Sequence, residues 1–167
     1  MTVGSRAMEL SVGLSANAAV TWGFDYLLYP LVIYQYGALT GGLVMTLASF
    51  LVCLGSFKFY DWSKRDWLGI EAVKSLKAGG ESRWARLAAW MLNKSEPVAA
   101  VFLSIKFDPF ITTLYLRKGS YDGLSARDWR IFLFSLVLGN AYWIAATFMG
   151  LTLVDWVLKQ LGWGGLY

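Results

Sequence analysis

The sequence predicts an all-α fold: a polytopic membrane helical bundle with four transmembrane helices, and amphipathic surface helices between the second and third. Three observations carry this. Apolar residues make up 57% of the 167 and charged ones only 16%, against roughly half and a quarter in a soluble domain. Four stretches reach the length of about 20 mainly apolar residues that a helix needs to cross a hydrocarbon layer of roughly 30 Å. The charges fall mostly between those stretches.

The stretches are 17–36, 39–57, 97–116 and 131–158, within one integral membrane domain covering 1–167. Residues 1–15 lack the basic, apolar and small-residue layout of a cleavable leader, and the first stretch carries Asp25, so it reads as a retained span. Only the uncharged run Gly37-Ala38-Leu39-Thr40-Gly41-Gly42 follows, which predicts a tight antiparallel hairpin with the second. Segment 58–96 carries Lys58, Lys64, Arg65, Lys74, Lys77, Arg83, Arg86 and Lys94. The positive-inside rule places it in the cytoplasm, and a four-span chain then has both termini there too. Arg117, Lys118, Arg127 and Arg130 follow the third stretch and oppose this assignment, leaving a re-entrant third stretch as the alternative. The fourth is long enough to tilt or to run into the interface.

Segment 58–96 has helical periodicity. After Ser63, residues Trp67, Ile70 and Val73 recur at helical spacing until Gly79-Gly80, and a second piece places Trp84, Leu87 and Met91 opposite Arg83 and Arg86. Both pieces suit helices lying in the headgroup zone. Trp67, Lys74, Lys77, Arg83, Trp84 and Arg86 then contact anionic lipid headgroups or the surface of a partner chain. The run Tyr60-Asp61-Trp62-Ser63-Lys64-Arg65-Asp66-Trp67 is echoed by Tyr121-Asp122-Gly123-Leu124-Ser125-Ala126-Arg127-Asp128-Trp129. In each, Ser precedes Asp by three positions, the spacing of a capped helix start.

Ionisable residues inside the stretches are the most informative, because an unpaired charge at the bilayer centre costs at least about 2.5 to 3.5 kcal/mol. Asp25, Lys106 and Asn140 fall near the midpoints of the first, third and fourth stretches, with Asp108 two residues beyond Lys106. Their depths allow one shared layer. Pro109 removes a backbone donor and crowds the preceding turn, predicting a helix bend whose freed backbone Thr112 and Thr113 are placed to satisfy. Two roles follow: a buried charge pair between Asp25 and Lys106, assisted by Asn140, or an ion or proton site using Asp25, Lys106 and Asp108.

Several function classes are excluded. With no histidine in the chain, Ser-His and Cys-His nucleophile pairs cannot form, and the single Cys53 builds neither a zinc centre nor an internal disulfide. There is no P-loop, dinucleotide fingerprint or nucleic-acid motif, and neither a cofactor nor a metal is implied. The sequence therefore reads as a non-enzymatic subunit, multi-pass in the cell (inner) membrane, that assembles with partner membrane proteins in a larger complex. The alternative is a small oligomeric transporter or channel for an ion or small solute. A mid-membrane set that is dry and salt-bridged favours the first; one that lines a water-accessible space favours the second.

Overall fold

The computed structural model describes residues 3–70, 96–119 and 121–163, among which there is no strand. The helices are α1 (Val3–Gly23), a π-helical turn (Phe24–Leu28), α2 (Tyr29–Ser63), α3 (Glu96–Lys106), α4 (Pro109–Leu116) and α5 (Ala126–Gln160). Two helical stretches among the described residues, Met8–Ser63 and Ala126–Gln160, are long and apolar enough to cross a membrane.

The first of these, at 56 residues, exceeds any bilayer if straight. It reverses instead. Gly37 takes φ 75° and ψ 170°, a conformation essentially restricted to glycine. Beyond it the backbone of Gly41 returns against Val32 and Ile33, so closely that a Cβ on Gly41 would lie 2.8 Å from the Val32 carbonyl oxygen. Nine residues of unbroken helix would hold those positions about 13 Å apart. The reversal thus occupies one residue rather than the six-residue connection read from the sequence, and Gly41 and Gly42 lie buried inside the returning arm. At the far end of this hairpin, Glu9 pairs with Arg65 at 3.0 Å, and Gly13 lies against the backbone of Trp67.

The third apolar stretch is two helices, broken at Phe107 and Asp108. Together they run antiparallel to α5. Ser104 lies against Gly139, Phe110 shares a core with Phe132, and the Leu116 carbonyl accepts from Arg127. The partner's number on α5 falls steadily as the number along α3 and α4 rises, so the segment travels one way and does not double back as a re-entrant loop would. From Glu96 to Leu116 it covers roughly 30 Å. Helix α5 is also antiparallel to the returning arm of α2, with Gly42 against Ile144 and Phe57 against Phe132.

These directions differ from the simple alternation expected of four successive spans. Helices α1 and α5 run the same way, so their outer ends lie at opposite ends of the bundle rather than on one face. Likewise α2 finishes at the opposite end of the bundle from the start of α3. Composition reports how apolar a stretch is and carries no direction. The new directions also remove a conflict: Lys64, Arg65, Arg117, Lys118, Arg127 and Arg130 now gather at a single end.

A core of Cys53, Phe57, Tyr60, Leu68, Ile70, Phe110, Leu114 and Phe132 closes this basic end. Trp67 folds beneath it, stacked on Phe110 and edge-on to Phe59, instead of lying outward on a surface helix. Lys74, Lys77, Arg83, Trp84 and Arg86 lie outside the described residues. Ser63 ends a helix rather than starting one: its hydroxyl donates to the Tyr60 carbonyl, and Lys64 closes α2 in the left-handed conformation. Its echo, Ser125, does form a capping box with Asp128. Toward the outside the bundle presents an apolar belt that includes Leu39, Leu43, Val137 and Met149.

Candidate functional site

Asp25, Lys106, Asp108 and Asn140 all line one partly open cavity of about 110 Å³, bordered by α1, the π turn, the returning arm of α2, the α3–α4 break and α5. Each arrives there for a local reason. Asp25 sits in the π turn, where the wider winding displaces the register of the helix; such turns concentrate at functional sites. Asp108 is the N-cap of α4, accepting from the Ile111 N–H at 2.7 Å through Oδ1. A carboxylate at that position satisfies an orphan amide and complements the positive helix end. Its Oδ2 accepts from Asn17 Nδ2 of α1 at 3.5 Å, which links the wall of the cavity to the helix break.

Pro109 occupies the first turn of α4, where its missing N–H is no loss. It therefore starts a helix instead of bending one. Four residues earlier, the Ile105 carbonyl has no i+4 donor, while the Phe107 N–H closes the last turn of α3 on the Leu103 carbonyl at 2.7 Å. The threonines do not return to that freed carbonyl: the Thr113 hydroxyl donates to the Pro109 carbonyl at 2.7 Å, and the Thr112 hydroxyl is buried without a partner.

Lys106 ends α3 and is exposed. No ion pair joins it to Asp25 or Asp108 among the described residues, so a direct Asp25–Lys106 bridge is not formed. Asn140 is buried and fixed at both ends, accepting from the Tyr29 hydroxyl and donating to the Leu136 carbonyl at 2.7 Å. The set shares a cavity without being sealed in pairs. Aromatic rings complete the lining, with Phe24, Phe107 and Trp143 around the polar groups. Tyr26 meets Trp143 edge-on at 5.7 Å, and the Tyr29 ring lies tilted at 6.4 Å from it.

Asn17 and Tyr29 escaped the sequence reading, although a signal existed. Asn17, Thr21, Asp25 and Tyr29 recur at intervals of four, and all line the cavity. On an ideal α-helix each such step drifts about 40° around the axis. The π turn at Phe24–Leu28 takes up residues within the winding and lets one face keep all four. Among the described residues, no group of His, Cys, Asp and Glu is arranged to hold a metal. Comparison with family models, curated proteins and solved structures finds no match for this chain.

Proposed function

We propose that the chain is a multi-pass membrane protein of transporter or channel type whose working site is the polar cavity at the α3–α4 break. The single observation that carries this reading is that Asp25, Lys106, Asp108 and Asn140 line a shared space without an Asp25–Lys106 ion pair. Ionisable residues within membrane helices mark solute pathways when they face a cavity. Interrupted helices support the same reading, since they place helix ends and freed carbonyls where a solute can meet them. In this reading the two arms of the α1–α2 hairpin, α3 with α4, and α5 all lie within the bilayer. The end carrying Lys64, Arg65, Arg117, Lys118, Arg127 and Arg130 faces the cytoplasm and its anionic headgroups, with the chain resident in the cell (inner) membrane.

Purified protein reconstituted into vesicles tests it. Cation-dependent flux that Asp25→Asn and Asp108→Asn both abolish is the expected result; flux unchanged in both variants sinks the reading. The apolar flanks of α2 and α5, with Leu39, Leu43 and Met149 exposed, favour a second role as an accessory subunit packed against partner membrane chains. Native mass measurement in mild detergent distinguishes the two: a stoichiometric second polypeptide supports the subunit role, and a homo-oligomer counts against it.

A further inference from the structure

Building on the transport reading, we propose that the cavity binds a small organic cation, a protonated amine or guanidinium, held by Asp25 and Asp108 against the aromatic wall of Phe24, Phe107 and Trp143. Charge gives the first argument. With both carboxylates and the Lys106 ammonium ionised, the lining carries one net negative charge, which a monovalent cation neutralises. An anion meets two carboxylates in a site of reduced dielectric.

Size and wall chemistry select the kind of cation. A space of about 110 Å³ is far more than one water-sized guest requires. Bare inorganic cations bind best where oxygen atoms surround them closely. Here the oxygens of Asp25, Asp108, Ser104 and Asn140 share the lining with aromatic rings. An aromatic face attracts a cation through its quadrupole, most strongly for tryptophan, and Trp143 is held in place by Tyr26 and Tyr29. A planar guanidinium or a methylated ammonium uses both halves of this lining, donating to carboxylates while its carbon-bearing face covers a ring.

The test is equilibrium binding of radiolabelled guanidinium and methylammonium to the full-length protein in detergent, with sodium as the comparison. Saturable binding of the organic cations is expected. Asp25→Asn and Asp108→Asn should each weaken it about tenfold or more, from loss of a charge-assisted hydrogen bond. Asp25→Glu, which keeps the charge, should retain binding, and this separates loss of the ligand from loss of the fold. Trp143→Leu should weaken guanidinium about fivefold and leave sodium unaffected. Saturable sodium binding without guanidinium binding overturns the proposal, as does wild-type guanidinium affinity in both Asn variants. The two readings fail separately: sodium flux with no organic-cation binding removes only this inference, whereas guanidinium binding with no flux of any solute removes only the transport role.

Discussion

Arg117 donates Nη1 to Asp61 Oδ1 at 2.9 Å and Nη2 to the Gly123 carbonyl at 2.7 Å, tying the end of α4 to α2 and to the turn before α5. Its side chain is 1% exposed, so removing it strands an acid at the basic end. Arg117→Ala is expected to cost about 3–5 kcal/mol. Arg117→Lys should cost less but still register, because a point-like ammonium does not span two acceptors. Unfolding in mixed detergent micelles measures both. The pairing predicts that Arg117→Ala combined with Asp61→Ala is less damaging than Arg117→Ala alone; equal damage would count against the pair.

The Tyr29 hydroxyl is the described donor to Asn140 Oδ1. Tyr29→Phe keeps the ring against Trp143 but leaves that buried oxygen unsatisfied, at an expected cost of about 1–2 kcal/mol. Asn140→Leu should harm stability more, since it also places an apolar branched chain among the polar groups of the cavity. Thermal melting of the purified variants ranks the two.

The paired serines give a contrast within one chain. Ser125→Ala removes the hydroxyl that accepts from the Asp128 amide and should cost about 1 kcal/mol. Ser63→Ala removes only a bond back to a carbonyl at a helix end, and should stay within about 0.5 kcal/mol of the parent. Similar losses from both would contradict the different local structures at these two positions.

Sidedness is directly measurable because the single cysteine, Cys53, is buried. In a Cys53→Ser background, Gly123→Cys should react with an impermeant maleimide from the face that carries the basic residues. Leu161→Cys should react only from the other face. Labelling of both from one side would refute a course of α5 from one face to the other.

The apolar character was legible from composition, and two helical stretches among the described residues are long and apolar enough to cross a membrane; the positions of Asp25, Lys106 and Asn140 could be counted from the stretch ends. Direction was not legible. Nothing in 97–116 distinguishes an upward from a downward course, and only the pairings of Ser104 with Gly139 and Leu116 with Arg127 fix it. The motif Ser-x-x-Asp was ambiguous because a serine oxygen serves equally as acceptor at a helix start and as donor at a helix end, and the surrounding fold chose differently at Ser63 and Ser125. Asp108 next to Pro109 holds the clearest signal of a helix start, a capping residue followed by proline, but the apolar stretch around it masks that signal as a bend within one helix.

The single-residue reversal at Gly37 bears on biogenesis. In the transport reading, two arms joined this tightly enter the membrane as one unit, with no charged connection to carry across the bilayer. In that reading Asp25 enters lipid beside Ser49 and Ser56 of the returning arm, which line the same cavity. Its partition cost is shared with polar company from the moment of insertion, before α3, α4 and α5 have been synthesised.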